Sequence, residues 1–225
     1  MTDGRIPFPP SQAIVHRAEI AGLSLTEKAA LQLRAHARAV LEANDLLHLT
    51  SITDPESFIE RHLGEAFEGA ALLPGALRGT LLDLGSGNGY PGIPVAVTCP
   101  GLTPVLVEAS SKKAAFLREA LRVAGLERGR VIDRRVDREQ DLRDVDGVRV
   151  LVTRAMGGWD RIVPRLHAKI ATDGWILVWA GGDAVAKMSG RRWDRFELVK
   201  TTRLPGRDQS SIHLLRPKPM FTLNN

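Results

Sequence analysis

The run Leu81-Leu82-Asp83-Leu84-Gly85-Ser86-Gly87-Asn88-Gly89-Tyr90-Pro91-Gly92 constrains this chain more than any other feature. Its apolar start reads as a buried strand, and its alternating glycines read as a tight turn that feeds a helix. Glycine at 85, 87 and 89 lets the backbone turn sharply and approach a ligand where a Cβ would intrude. Pro91 suits a first helical turn, whose N–H has no partner in any case. A strand that breaks into such a turn before a helix is a cradle for a small-molecule cofactor at the edge of a parallel α/β sheet.

Two cofactors compete for this cradle. Gly87-Asn88-Gly89-Tyr90-Pro91-Gly92 satisfies the G-x-G-x-x-G dinucleotide fingerprint. Asp83 opens a different pattern, D-x-G-x-G-x-G, which resembles motif I of class I S-adenosylmethionine (SAM) methyltransferases. SAM carries a zwitterionic methionine tail that calls for amide donors and carboxylate contacts, whereas NAD presents a pyrophosphate for a helix N-terminus. Glu108 ends the second apolar run, Val105-Leu106-Val107-Glu108-Ala109-Ser110, where a carboxylate accepts ribose hydroxyls in either site. Its plainer role would be to complement a helix dipole. Asp137, in Arg135-Val136-Asp137, could accept an adenine amino group or belong to a solvated charge run from Arg134 to Glu139. Arg154 closes the fourth strand at the mouth of the sheet, where loops meet ligand; a surface salt bridge is the alternative.

At 225 residues the chain can bury one sizeable core with a small appended element. Its 31 Lys and Arg against 26 Asp and Glu give a net charge of +5, which suits a polyanionic partner without requiring one. The lone cysteine, Cys99, excludes a disulfide framework, and the six histidines have no metal-ligand spacing, so no metal is expected. Residues 1 to 10 lack the basic start and apolar run of a signal peptide, and no stretch approaches 18 apolar residues. A cytoplasmic monomer that engages no membrane is the expectation.

Residues 11 to about 70 read as helices. Thr26 caps a long one in which Ala29, Ala30, Leu33, Ala37, Val40 and Leu41 share a face, and Asp54-Pro55 starts another carrying Phe58, Ile59, His62, Leu63 and Phe67. After Leu73-Pro74-Gly75 short apolar runs alternate with helical stretches, predicting strands near 80–84, 103–108, 129–132, 148–153, 174–180, 195–200 and 210–215. Only Leu204 to Asp208 separates the last two, too short for a crossover helix, so they should pair antiparallel. The expected architecture is a Rossmann-like α/β fold: a seven-stranded, mostly parallel sheet (76–225) behind an N-terminal helical extension (1–75).

Five blocks in order are similar to the RsmG (GidB) family: Leu49 to Glu56, Arg61-His62-Leu63, Gly85 to Pro94, Lys112-Lys113 with Phe116-Leu117, and Thr153-Arg154-Ala155. The resemblance implies SAM-dependent methylation of guanine N7 in small-subunit (16S) ribosomal RNA. It implies a cofactor site drawn from Asp83, Gly85, Ser86, Gly87, Gly89, Tyr90, Glu108, Ala109, Ser110, Val136, Asp137 and Arg154, with Arg154 the residue nearest catalysis. RNA would meet dispersed basic residues such as Arg34, Arg38, Lys112, Lys113, Arg118, Arg191 and Arg192. The chain departs from the family at Ala43 and His48, where tryptophan and asparagine are common, at Gly64-Glu65-Ala66 in place of a Leu-Asp-Ser step, and at Ala180, where a Lys-Gly pair is usual. The residues alone leave open a divergent methyltransferase acting on another RNA, a protein or a small molecule, and a SAM-binding assembly factor without turnover.

Overall fold

The computed structural model describes Phe8, residues 10–207 and residues 209–218. The start read above for targeting, and Asp208 in the last loop, lie wholly or partly outside the described residues. Helices come first: α1 (Ser11–Ile20), α2 (Glu27–Leu47), α3 (Pro55–Phe58) and α4 (Glu65–Ala70). Thr26 Oγ1 accepts from Ala29 N at 3.1 Å and Asp54 Oδ1 from Ser57 N at 2.8 Å, so both expected caps start their helices. Between α3 and α4 the chain widens into a π turn over Ile59–Gly64, where the sequence pattern suggested an unbroken α-helix.

Seven strands follow: β1 (Gly79–Leu84), β2 (Leu102–Glu108), β3 (Arg130–Asp133), β4 (Val148–Arg154), β5 (Ile170–Gly181), β6 (Phe196–Arg203) and β7 (Ser210–Pro217). They form one sheet in the order β3-β2-β1-β4-β5-β7-β6. β7 runs antiparallel to both neighbours and the other pairs are parallel, as the short last loop requires. Helix α5 (Gly92–Thr98) crosses from β1 to β2 and α6 (Ser111–Val123) from β2 to β3. Pro91 is the residue before α5 rather than inside its first turn. Beyond β3 the crossovers shrink to 3-10 turns and the short helices α7 (Trp159–Ile162) and α8 (Ala184–Met188).

Side chains alternate across the sheet with period two. Leu82, Leu84, Val105, Val107, Leu151, Ile176 and Val178 face the short crossovers. Leu81, Val150, Val152, Leu177 and Trp179 face α4 and α5. The same alternation sends Asp83 and Arg154 towards the N-terminal helices. Residues of α1, α2, the π turn and α4 share one apolar cluster with Ile93, Leu106, Phe116 and Leu117, so helical extension and sheet bury surface against each other. Among the described residues no helix is long and apolar enough to cross a membrane.

Helix α4 lies so close to β5 that a Cβ on Gly69 would fall 2.1 Å from the Trp179 ring. Gly69→Ala is expected to lower unfolding stability by about 1–3 kcal/mol through overpacking. Gly75→Ala, where a Cβ meets nothing within 4 Å, should be close to neutral. Urea unfolding of the two variants compares them directly.

Candidate active site

The C-terminal ends of β1, β2, β4 and β5 open onto a cavity of about 720 Å³, roofed by the segment from His48 to Glu65. This is the edge at which parallel α/β sheets receive ligands. Gly85, Ser86, Gly87, Tyr90, Glu108 and Arg154 all line it, so the structure brings these sequence-predicted residues together.

Two carboxylates hold the glycine turn. Glu108 Oε2 accepts from Gly87 N at 2.9 Å and its Oε1 from Ser110 N at 2.8 Å. Each oxygen keeps a further lone pair for a hydroxyl donor. Asp83 is fully buried beneath the turn, and its Oδ2 accepts from Gly92 N at 3.2 Å, fastening the start of α5. Burial pushes its carboxyl up to about 7, against the pull of the Gly92 amide. Asp83 therefore shapes the cradle from below and is not part of the lining.

The glycines divide the labour. Gly85 has φ +71°, and its Cβ would meet the Met156 side chain at 3.1 Å, so its constraint is internal packing rather than approach of a ligand. Gly87 has φ +56°, and the one atom within 4 Å of its Cβ is the Gly85 carbonyl at 3.8 Å, so here open cavity is what the missing side chain preserves. Gly89 is buried against the His36 ring.

Behind the turn three rings stack. Tyr90 lies between His36, with centroids 4.5 Å apart, and His62, with centroids 4.9 Å apart. His36 Nε2 donates to the Asn88 carbonyl at 2.9 Å. His62 Nδ1 faces Arg154 Nη2 at 3.0 Å and accepts from it, so its proton sits on Nε2, 2.8 Å from Thr50 Oγ1. Burial holds His36 down at about 4, and burial plus the Arg154 charge hold His62 down at about 3. Both are neutral at pH 7, and neither is placed as a general base. The Tyr90 hydroxyl is buried without a partner among the described residues.

Arg154 does more than cap a strand. Its Nη1 donates to the Arg61 carbonyl at 2.9 Å in the π turn and to Glu65 Oε2 at 3.2 Å. Trp179, its register partner on β5, donates Nε1 to the Glu65 carbonyl at 3.0 Å. Arg207 Nη2 lies 2.9 Å from Glu65 Oε1 and Arg61 Nε 3.6 Å from the same atom. Sequence reasoning noted Glu65 as a departure and passed over Arg207 and Thr50; the signal available was a carboxylate on the apolar face of an amphipathic helix.

Other expected residues lie elsewhere. Ala109 and Ser110 sit beside Glu108 without lining the cavity, Val136 is buried in the cluster on the opposite sheet face, and the Asp137 carboxylate pairs with Arg135 at 2.9 Å. Of the basic residues named for RNA, Lys113 lines the cavity, Arg38 pairs with Glu42 and Arg118 approaches Asp133. His48 caps α2 in the left-handed region at φ 48°, a conformation that asparagine and histidine both tolerate. Among the described residues no group of three or more His, Cys, Asp or Glu could hold a metal ion.

The buried imidazoles predict acid sensitivity. A histidine whose folded pKa lies below its unfolded value binds fewer protons in the native state, so stability falls as pH drops through 6.5 towards the folded pKa. For His36 the full loss by pH 4 is on the order of 3 kcal/mol. Asp83 acts in the opposite sense, losing stability as pH rises between about 4 and 7. Urea titrations at pH 6.5, 5.5 and 4.5 should therefore give a shallower pH slope for His36→Phe than for the unsubstituted protein.

Comparison with known proteins now bears on this site. The family model for rRNA small subunit methyltransferase G (GidB) matches residues 29–201. The ribosomal RNA small subunit methyltransferase G of Stenotrophomonas maltophilia (strain R551-3) is 36% identical over 172 residues, covering 76% of this chain and 78% of the relative. That of strain K279a is 39% identical over 131 residues, covering 58% and 60%. The Sorangium cellulosum (strain So ce56) protein is 32% identical over 207 residues, covering 88% and 85%. Among solved structures, a ribosomal protein L11 methylase from Lactobacillus delbrueckii subsp. bulgaricus superposes with TM-score 0.55 at 15% identity, covering 71% of this chain and 80% of that one. A predicted O-methyltransferase from Agrobacterium tumefaciens gives 0.56 at 21% identity, covering 66% and 78%. The structural likenesses establish the fold; the matched family model and the sequence relatives place this chain in the rRNA small subunit methyltransferase G family.

Proposed function

We propose that this protein transfers the methyl group of SAM to N7 of a guanine in small-subunit ribosomal RNA. The observation that carries the reading is the cavity itself. A glycine turn with open space over Gly87, a carboxylate on the second strand and a part-buried arginine on the fourth surround one chamber. The residues fit the cofactor: Glu108 keeps free lone pairs for ribose hydroxyls, and the Ser86–Gly87 backbone leaves room for the methionine tail. Val136 and Asp137 follow β3, and the adenine is assigned to them on sequence position.

Bound SAM supplies an electrophilic methyl on a sulfonium. Guanine N7 offers an in-plane lone pair, so no proton must leave before attack. The site agrees with that demand, since Arg154 occupies the lone pair of His62 and His36 stands behind the turn outside the cavity lining. What the chain contributes is alignment and exclusion of water. Arg154, fixed by Glu65, His62 and the Arg61 carbonyl, holds its place at the mouth and can orient the purine or the cofactor. A base drawn from a folded RNA would be extruded into this chamber. The protein is read as a monomer acting in the cytoplasm, with a ribosomal subunit or its RNA as partner.

Incubating unmodified small subunits with the protein and SAM should produce 7-methylguanosine, mapped by chemical cleavage at the labile glycosidic bond. Glu108→Ala should weaken SAM binding by about 10- to 100-fold, as expected for loss of a charged hydrogen-bond acceptor worth about 1.5–3 kcal/mol. A methyl group on adenine, cytosine or protein would refute the substrate while leaving the cofactor reading intact.

A further inference from the structure

Resting on the RNA reading above, we infer that Arg207 and Arg61 form a phosphodiester-binding clamp at the mouth of the cavity, held in place by the buried carboxylate of Glu65. Three guanidinium groups surround that one carboxylate: Arg154 at 3.2 Å, Arg207 at 2.9 Å and Arg61 at 3.6 Å. Arg154 is committed, with its donors on Glu65, His62 and the Arg61 carbonyl. Arg207 and Arg61 are not. Both are partly exposed, with side chains 30% and 45% accessible, whereas Glu65 is at 8%.

The bonding geometry strengthens the point. Glu65 Oε1 is buried and, among the described residues, meets Arg207 Nη2 at 2.9 Å as an ion pair without a well-aligned hydrogen bond. Arg207 Nε is likewise buried and unbonded among the described residues. With its charge only part-compensated by Glu65 and its side chain part-exposed, the Arg207 guanidinium can turn its terminal nitrogens to a planar, two-oxygen acceptor. Around the whole cavity the described lining carries Arg61, Lys113, Arg154 and Arg207 against Glu65 and Glu108. The excess of positive charge lies on the Arg207 side.

Position separates this clamp from the cofactor. Glu108 ends β2, whereas the Arg207 guanidinium reaches from the β6–β7 loop to Glu65 beside Arg154 of β4, two strand spacings away in the sheet order, roughly 10 Å. An adenosine held at Glu108 places its methionine tail over the glycine turn of β1. The side of the cavity at Arg154 and Arg207 is left to the substrate, and an RNA strand entering there presents a phosphodiester beside the base to be methylated. Glu65 acts as a positioning residue, keeping two flexible cations aimed at one point.

The test uses full-length protein and small ribosomal subunits. Arg207→Gln should raise the KM for subunits about tenfold, leave kcat near its original value and reduce the slope of log affinity against log salt by about one. SAM affinity by calorimetry should change less than twofold. Arg207→Lys should recover the salt slope but only part of the KM, because the charge returns without the fork. Arg61→Gln, on a different element, should move the same quantities in the same direction and serves if Arg207→Gln fails to fold. An unchanged salt slope and KM in both variants would overturn the clamp. So would a fall in SAM affinity with RNA binding intact, which would assign Arg207 to the cofactor carboxylate. An unsubstituted protein that methylates no ribosomal RNA is a separate result, and it would remove the reading on which the clamp rests.

Discussion

The part-buried ion pair between Glu65 and Arg154 joins the two parts of this molecule. Arg154 ends β4 and Glu65 opens α4, and the adjoining strand repeats the attachment through Trp179 Nε1 and the Glu65 carbonyl. Neither charged group could sit here alone, since an unpaired buried charge costs several kcal/mol. Their pairing fixes the helical segment as the roof of a cavity whose floor is the sheet edge. The π turn belongs to the same junction, because it offers the Arg61 carbonyl to Arg154 and places His62 against the same guanidinium.

Below the roof the cradle is built from backbone held by carboxylates. Glu108 secures the tip of the glycine turn and Asp83 secures the helix that follows, so the turn is shaped before any ligand arrives. The stacked His36, Tyr90 and His62 rings fill the space behind it and join α2 to the π turn. In that packed layer the Tyr90 hydroxyl lacks a partner among the described residues.

Much of this was legible in the sequence. The strands were placed within a few residues because period-two apolar runs and short turns leave little choice. β5 is the exception, since Thr172-Asp173-Gly174 reads as a turn but is carried inside the strand by pairing of Ile170 with Val148 across a register shift. The glycine turn and Glu108 announced themselves by spacing. The junction did not, because Glu65 meets Arg154 and Arg207 only through tertiary packing. Phe58, Ile59, His62, Leu63 and Phe67 fit an ordinary helix, and nothing local reveals the extra residue in its turn. Asp137, proposed for the adenine by position, has a carboxylate that bonds two residues away to Arg135. His48, a departure from its family by identity, keeps the backbone conformation that its place demands.

If helical roof and sheet edge together enclose the SAM site, both must respond when SAM binds. Backbone hydrogen exchange of the unsubstituted protein, with and without SAM, tests it most directly. SAM is expected to slow exchange in two separate stretches, the glycine turn at 85–90 and the roof at 48–62. Protection confined to the glycine turn, or protection by NAD in place of SAM, would contradict it.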